Sequence, residues 1–421
     1  MARLRASVIV ACLCLIASAE AGFFSKKKAV PAPAPASVES AVDAPLNTCS
    51  AADGGACANA CTAPHKPAEA VKPYCYVPKH ISEEAQAYLS TAHPKEPQPD
   101  TVQQRAYFDA RTKPAGTAAA DAFLQGTEEA TLAGVPCVYA TPKGHISSSD
   151  PASRQLLLYL HGGAYSLGSC KASAWMVAAP VAHAAGLKVL CVDYRLAPEH
   201  PFPAALDDAL AVYKHLLTDE GYDSHNIVML GDSAGGGLVM ALLQLLNQLP
   251  DNHDSLEMPA AVVLYSPWVD LLPHAGDSTV TLTGVDPMLR APTDLDSPSP
   301  AALAYVAGNA SMLSDPLVSP LYGVYDDAPF PPTLLQVGLR DILISSNVML
   351  YRKMRAAGQH VVFSPFEAMW HVFQAFWNIP EAQVANQEAA EFFRDHMPQR
   401  GGAGGAGGAE NEAEAAADNA M

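Results

Sequence analysis

The residues best suited to chemistry form the pentapeptide GDSAG at positions 231–235. Glycine stands two residues before and two residues after Ser233, which permits a tight turn because glycine has no Cβ to collide with the backbone. The apolar run 227–230 precedes this turn and a helix-like stretch follows it, so the serine is expected at a strand-to-helix junction. The hydroxyl of Ser233 would stand exposed there, and the N–H of Ala234 could donate to an oxyanion. The pattern predicts a nucleophilic serine.

A second glycine-rich segment, HGGAY at 161–165, directly follows the apolar run 156–160. Consecutive glycines allow backbone N–H groups to approach a ligand closely, so we expect Gly162 and Gly163 to join Ala234 as oxyanion donors. Loss of one such donor typically costs about 10²–10³ in rate. Three side chains are expected to support the serine and this segment: His161, Tyr165 and Asp232.

A nucleophilic serine on such a turn is followed along the chain by an acid and then by a histidine. Asp341 comes just after the apolar run 334–337, and His371 follows the last such run, 361–365. The acid would orient the imidazole and stabilise its protonated form, while the imidazole takes the proton of Ser233. The sequence therefore predicts a catalytic triad of Ser233, Asp341 and His371.

Other acids and bases remain open on residue type alone. Asp270 follows another strand-like run, and Asp315 lies in a loop further along the chain. Among the 14 histidines, His360 begins a strand-like run and His396 lies in a terminal helix-like stretch. Position at a strand end, rather than residue type, therefore selects His371.

These residues need a scaffold, and the apolar pattern supplies one. Runs rich in Val, Leu and Ile without alternation are expected as strands buried on both faces: 156–160, 189–194, 227–230, 261–265, 334–337 and 361–365. Helices are expected over five further stretches: 172–185, 203–217, 234–246, 345–357 and 382–393. The alternation predicts an α/β fold with a mostly parallel sheet and helices on both sides. Chemistry in such sheets lies beyond the carboxyl ends of the strands, where the residues above fall.

The two ends of the chain differ from this pattern. Residues 1–21 have a short basic start, an apolar stretch and small residues, which predicts a cleaved secretory signal. An uncleaved anchor is the alternative, although the stretch is shorter than the roughly 20 residues that span a bilayer. Residues 22–80 are expected to be a Pro/Ala linker and a Cys-rich segment, and residues 399–421 a disordered Gly/Ala/acidic tail.

The Cys-rich segment contains Cys49, Cys57, Cys61 and Cys75. In an oxidising compartment four such cysteines form two disulfides, with three possible connectivities. A zinc site that also uses His65 is the alternative. Cys191 lies within an apolar run and is expected to be a small buried residue.

The net charge of −18 at pH 7 argues against nucleic acid and against anionic membrane surfaces as partners. The apolar runs after the first 21 residues are short, so no membrane span is expected in the rest of the chain. The tripeptide at 309–311 is a glycosylation sequon, which agrees with a secretory route but is a weak signal. The sequence does not indicate an oligomeric state.

Over residues 101–396 the sequence resembles the hormone-sensitive-lipase-like branch of the α/β hydrolases. The motifs that carry the resemblance are HGG at 161–163, DYRLAPE at 193–199, GDSAG at 231–235, SPW at 266–268 and DPLVSP at 315–320, together with the contexts of Asp341 and His371. The resemblance implies a catalytic domain over 136–398 with a sheet of about eight strands. It also implies an N-terminal cap region over 81–135, with help from the insertion between Leu272 and Leu321.

The resemblance also implies hydrolysis of short- to medium-chain esters without a metal or cofactor. DYRLAPE is expected to brace the glycine segment, with direct contact to substrate as the alternative. Ala164 departs from the family's frequent glycine triplet, and its methyl group is expected to narrow the pocket and tune substrate choice.

Three other functions are compatible with this fold. The same triad could cleave amides, formamides or lactones. Alternatively, the chain could be a ligand receptor, as in the plant gibberellin receptors that resemble this branch, or an adhesion module like the cholinesterase-like proteins. Those receptors lack the catalytic histidine, and those adhesion modules have broken triads. The presence of His371 and Asp341 favours an enzyme.

Overall fold

The computed structural model describes residues 76–91, 101–145, 154–249, 256–273, 276–289 and 296–398. Within these residues, strands form one sheet: β1 Leu124–Leu132, β2 Val135–Pro142, β3 Leu156–Leu160, β4 Lys188–Val192, β5 Ile227–Asp232, β6 Ala261–Tyr265, β7 Thr333–Gly338 and β8 Val361–Phe366. The predicted signal, most of the linker and Cys-rich segment, and the predicted tail lie outside the described residues.

The sheet has eight strands in the order β1-β2-β4-β3-β5-β6-β7-β8. The pairs β1–β2 and β2–β4 are antiparallel, and the remaining pairs are parallel. The expected mostly parallel sheet is therefore confirmed, and each of the six predicted strands overlaps an observed one. Because β3, β5, β6 and β7 run in the same direction, the loops that follow them emerge at one edge of the sheet.

Strands β1 and β2 were not among the strands predicted from the sequence, and the reason is clearest for β1. Its central residues are mostly exposed, so it lacks the apolar run that marks the inner strands. It pairs with β2 through a hairpin whose turn is formed by Ala133 and Gly134, both at positive φ. The expected boundary between cap and catalytic domain, at residues 135 and 136, falls at this hairpin. Strand β1 lies within the predicted cap region, but it belongs to the sheet because it pairs with β2.

Helices cover both faces of the sheet. Those described are α1 Glu83–Ser90, α2 Thr101–Phe123, α3 Ala174–Ala185, α4 Ala204–Thr218, α5 Ala234–Gln248, α6 Asp277–Thr281, α7 Pro300–Tyr305, α8 Ile344–Ala356 and α9 Pro380–His396. Alternate side chains of β3 point into two different apolar cores, one on each face of the sheet. Leu156, Leu158 and Leu160 pack on the side of α4 and α5, whereas Leu157 and Tyr159 pack on the side of α3 and α9. Burial on both faces explains why the inner strands read as continuous apolar runs.

A disulfide bond joins Cys170 to Cys191. The expectation that Cys191 is only a small buried residue was therefore wrong. Cys191 lies in β4, and Cys170 lies in the loop between β3 and α3, which folds back over the sheet so that the two Cα atoms are 5.7 Å apart. The distance along the chain did not reveal this contact, because it depends on the path of that loop. Cys137 is buried with a free thiol.

None of the helices in the described ranges has the length and apolar character to cross a bilayer.

Candidate active site

Ser233 lies on the turn between β5 and α5, as GDSAG predicts. Its backbone has φ 52° and ψ −123°, a conformation that is costly for a residue with a side chain. Three hydrogen bonds hold it there. The N–H of Ser233 donates to Tyr265 O at 2.9 Å, and its carbonyl accepts from Trp268 N at 2.8 Å and Gly237 N at 3.1 Å. The turn therefore presents the side chain of Ser233 at the carboxyl end of the sheet.

The glycines of GDSAG are required by close backbone contacts. A Cβ at Gly231 would lie 2.5 Å from Gly235 O, and a Cβ at Gly235 would lie 2.1 Å from Leu160 O. Side-chain carbons do not approach a carbonyl oxygen so closely, so either substitution would push the turn away from the sheet. The glycine spacing seen in the sequence therefore reflects packing of β5 and α5 against β3.

The three side chains of the expected triad lie together in one hydrogen-bonded row. Ser233 Oγ lies 3.0 Å from His371 Nε2, and His371 Nδ1 lies 3.0 Å from Asp341 Oδ2. Asp341 is fully buried, and His371 is 6% exposed. The second oxygen of Asp341 accepts the N–H of Leu343 at 2.8 Å, which fixes the carboxylate plane.

The environment of His371 favours its protonated form. Burial by itself lowers the pKa of an imidazole, but the charge of Asp341 and its hydrogen bond raise it, as do Asp286 and Asp232. The net result is that the pKa of His371 lies above its usual range. An imidazole in this setting can hold a proton that it takes from Ser233.

The loops that carry the acid and the histidine are bonded to each other. Gly338, at the end of β7, lies so close to the second loop that a Cβ there would be 2.3 Å from Met369 O. The same Met369 carbonyl accepts the N–H of Arg340 at 2.8 Å. On the other side of His371, the N–H of Val372 donates to the buried Ser266 Oγ at 3.2 Å. The serine of the SPW motif thus positions the histidine loop.

The glycine segment after β3 differs from the sequence prediction at one residue. The N–H of Gly162 donates to Asp232 Oδ1 at 2.9 Å, so this amide is not free to bind an oxyanion. The expected donor role of Gly162 therefore competes with its bond to Asp232. A Cβ on Gly162 would lie 2.2 Å from Asp232 Oδ2, which explains the glycine by packing instead. The sequence could not distinguish these two reasons for a glycine.

The amides of Gly163, Ala164 and Ala234 have no acceptor among the described residues, and neither do the neighbouring amides of Tyr165, Gly235 and Gly236. Gly163 and Ala164 have φ of 125° and 53°, so the backbone turns sharply at this point. The sequence predicts only a steric role for Ala164. A backbone N–H group leaves no signature in residue type.

The expected supporting residues form a buried polar layer beneath the serine. Asp232 accepts from Tyr159 OH at 2.5 Å as well as from Gly162, and burial raises its pKa. The His161 ring stacks on Tyr194 with centroids 4.4 Å apart, and Tyr194 OH donates to His161 O. Tyr165 is buried and stacks on Tyr305 at 3.8 Å. Among the described residues, the side chain hydrogen-bonded to Ser233 Oγ is that of His371 and none of these.

The DYRLAPE segment contacts the glycine segment as expected of a brace. Besides the bond from Tyr194, the N–H of Ala197 donates to Tyr165 O at 2.8 Å. Arg105 of α2 joins the two segments, since it donates to Ser166 O at 2.7 Å and pairs with Glu199 at 2.6 Å. The hydrogen bond from Arg105 lowers the pKa of the Glu199 carboxyl. Arg105 was not identified from the sequence, because no motif surrounds it.

The rival residues lie in other environments. Asp270 accepts the N–H of Leu272 and the hydroxyl of Tyr322, both at 3.1 Å, and Asp315 accepts the N–H of Leu317 at 2.8 Å. The rings of His360 and His396 lie 5.4 Å apart, near each other rather than near Ser233. Position at a strand end therefore identified the acid and the base that meet the serine.

One surface group in the described part of the chain has the composition of a metal site. Ligand atoms of Asp223, His225 and Glu257 lie within 4.8 Å of one another, and all three residues are exposed. Asp223 accepts the N–H of His225 at 2.8 Å, and Glu257 accepts the hydroxyl of Ser224 at 2.9 Å. These bonds account for the group as a surface hydrogen-bond cluster.

A mostly parallel sheet that presents a serine at a strand-to-helix turn, with a histidine and a carboxylate from later strand ends, defines the class of α/β hydrolases. A model of the α/β-hydrolase fold family matches residues 157–375. An acetyl-hydrolase of Streptomyces hygroscopicus is 36% identical over 266 residues, which cover 62% of this chain and 84% of that protein. An esterase of Acinetobacter venetianus is 33% identical over 262 residues, 61% of this chain and 80% of that one.

A solved structure of an esterase from the bacterial hormone-sensitive lipase family has 34% identity and a TM-score of 0.61, covering 72% of this chain and 94% of that one. The chain therefore belongs to the α/β-hydrolase family, in its hormone-sensitive-lipase-like branch. The resemblance drawn from the motifs is confirmed.

Proposed function

We propose that the protein hydrolyses short- to medium-chain carboxylic esters, with Ser233 as nucleophile, His371 as general base and acid, and Asp341 as the group that orients His371. The observation that carries this proposal is the continuous row from Ser233 Oγ through His371 to Asp341, with 3.0 Å at each step. Relatives named as esterases and acetyl-hydrolases support the ester as substrate class.

The reaction is an acyl transfer in two halves. His371 Nε2 takes the proton of Ser233 Oγ as the oxygen attacks the ester carbonyl, and it then gives that proton to the departing alcohol. Water, activated by the same nitrogen, releases the acid and restores the serine. Asp341 holds the proton on Nδ1 throughout, so that Nε2 is the nitrogen that faces the serine.

We assign the oxyanion hole to the N–H groups of Gly163, Ala164 and Ala234. All three amides lack an acceptor among the described residues, whereas the amide of Gly162 is bonded to Asp232. Amides fixed by a braced loop stabilise developing charge without having to reorganise during the reaction. Gly162 and Asp232 would then hold the loop that carries two of the donors.

The activity is tested with purified protein and p-nitrophenyl esters from acetate to palmitate, beside Ser233→Ala. We expect the wild type to cleave the short esters, with kcat/KM falling as the acyl chain lengthens, and the alanine variant to lack this activity. The chain length at which the rate falls measures the acyl pocket. Equal inertness of both proteins on every ester would contradict the proposal and direct the search to amides, formamides, lactones or ligand binding.

The pH dependence of kcat/KM follows from the state of His371. Only the neutral imidazole can accept the proton of Ser233, and the pKa of His371 is raised. Activity should therefore fall as pH decreases through a value above that of a free imidazole. The measurement is kcat/KM on a substrate that does not itself titrate, from pH 5 to 9 as an approximate range that spans an imidazole. A profile that stays flat to the acid end would exclude His371 as the base.

We also propose that residues 1–21 are removed on a secretory route and that the mature protein is exported or held in its lumen. The Cys170–Cys191 disulfide supports this route, because such bonds persist in oxidising compartments. Mass spectrometry of the protein expressed in a secreting host tests it. A mature N-terminus near residue 22 is expected, and an intact start in the soluble cell fraction would contradict the proposal.

The segments near 81–126 and 272–321 are proposed to form the cap. A hydrogen bond from Tyr88 OH in α1 to Met288 Sδ, at 3.0 Å, connects them. The N-terminal end of α1 is tied to the catalytic part of the chain, since Ser82 Oγ donates to Glu381 in α9 at 2.7 Å. A cap attached in this way would cover the carboxyl edge of the sheet, where the row of Ser233, His371 and Asp341 lies.

A further inference from the structure

A second buried carboxylate lies beside the triad. Asp286, in the segment between β6 and β7, is 2% exposed. One oxygen accepts the N–H groups of Met288 and Leu289 at 2.8 and 3.2 Å, and the other accepts the N–H of Ile342 at 3.3 Å. Ile342 directly follows the triad acid, so Asp286 is bonded to the turn that carries Asp341.

The segment that contains Asp286 also bonds to the Asp341 turn through a second side chain, that of Ser278. Ser278 of α6 donates its hydroxyl proton to Ile342 O at 2.7 Å and accepts the N–H of Ser345 at 3.0 Å. Both backbone groups of Ile342 are therefore bonded to the 277–289 segment, the N–H to Asp286 and the carbonyl to Ser278. These two side chains therefore add to the bonds that hold the Asp341 turn.

The segment also reaches the histidine loop. Met288 accepts the hydroxyl of Tyr88, and the Tyr88 ring stacks on Trp370 with centroids 4.3 Å apart. Trp370 directly precedes His371. The segment thus contacts the neighbour of the acid directly, and it reaches the residue before the base through Tyr88.

Burying a carboxylate costs free energy unless hydrogen bonds or a nearby positive charge stabilise it. Burial, together with the nearby charge of Asp341, raises the pKa of Asp286, and His371 acts in the opposite direction. In return, Asp286 raises the pKa of His371. The charged groups that face His371 are Asp341 from the loop after β7, Asp232 from the serine turn and Asp286 from the inserted segment.

We propose that Asp286 is a positioning residue of the hydrolytic site, which holds the Asp341 turn through Ile342 and places a second negative charge beside the imidazolium of His371. This inference rests on the proposed ester hydrolysis. It gives the segment between β6 and β7 a part in catalysis besides any contact with substrate. The charge acts most when His371 carries the serine proton, so its loss should lower kcat more than it changes KM.

The test is Asp286→Asn, which keeps the size of the side chain and removes its charge. We expect kcat to fall about three- to tenfold. We also expect the acid limb of the kcat/KM profile to move about half to one pH unit lower, because a less stabilised imidazolium of His371 has a lower pKa. Asp286→Glu, which restores the charge, should return the acid limb toward its wild-type position.

Asp270→Asn is the matched control. Asp270 is another buried carboxyl, bonded to Leu272 and Tyr322 rather than to the triad, and burial likewise raises its pKa. The acid limb of the kcat/KM profile of Asp270→Asn should stay at its wild-type position. A folded Asp286→Asn with lower kcat and an unmoved acid limb would overturn the proposal, as would an equal shift in Asp270→Asn.

Should Asp286→Asn fail to fold, Asp286→Ser removes the charge with a smaller side chain and is judged by the same acid limb. If both neutral variants unfold while Asp286→Glu folds, the carboxylate serves stability alone and the proposal is overturned. Ester turnover by the wild type and its loss in Ser233→Ala are measured first. If the wild type does not hydrolyse esters, the proposed function fails, and that outcome is distinct from a failure of the role proposed for Asp286.

Discussion

Replacing Ser233 or His371 by alanine is expected to lower kcat by about 10⁵–10⁶ on a short ester, and replacing both should lower it no further. The reason is the single hydrogen bond of 3.0 Å that joins their reacting atoms. Without the serine, the histidine has no proton to take. Without the histidine, the hydroxyl is a weak nucleophile at neutral pH.

The measurement is kcat for the two single variants and the double variant, with thermal unfolding recorded to verify the fold. His360→Ala is the control, because the His360 ring lies beside His396 rather than beside the serine. Its activity should stay near wild type. Losses that add in the double variant would indicate that Ser233 and His371 act independently, contrary to the proposed mechanism.

Asp341→Asn is expected to lower kcat at neutral pH by about 10⁴, although it changes the size of the side chain very little. One oxygen of Asp341 accepts the N–H of Leu343 at 2.8 Å, so the amide oxygen of the asparagine will take that place. Its NH₂ group must then face His371 Nδ1, which becomes an acceptor. The ring proton moves to Nε2, the nitrogen that should accept from Ser233.

The comparison is kcat for Asp341→Asn and for Asp315→Asn. Asp315 accepts the N–H of Leu317 within its own turn, and no hydrogen bond is found between it and the triad among the described residues, so its variant should keep near wild-type activity. If Asp341→Asn retained a tenth of the wild-type rate or more, the orienting role of Asp341 would be excluded. Equal losses in both variants would point to a general effect on folding.

Most of the site was predictable because its signals are local. The GDSAG turn requires glycines where β5 and α5 meet, since a Cβ at Gly231 or Gly235 would collide with the backbone. Asp341 and His371 were found because parallel strands bring their carboxyl ends to one edge, so position after a strand is informative. Strand β1 was missed because its exposed residues carry no apolar pattern.

The residues that sequence reasoning missed act through contacts between distant segments. Arg105 reaches the glycine loop from α2, and Asp286 reaches the backbone next to Asp341 from the segment between β6 and β7. Neither lies in a pattern of spacing, because a hydrogen bond to a backbone amide can be made from any element that passes nearby. The Cys170–Cys191 bond was missed for the same reason.

The sequence by itself determined the class of fold and predicted Ser233, Asp341 and His371, the three residues that the structure brings into one hydrogen-bonded row. It did so because burial on two faces and tight turns restrict which residues can stand at each position. Only the tertiary structure decided which backbone amide of HGGA, at 161–164, is already hydrogen-bonded within the protein. A glycine needed for packing and a glycine needed for an oxyanion look alike in sequence, and Gly162 is distinguished by its bond to Asp232, a residue 70 positions away.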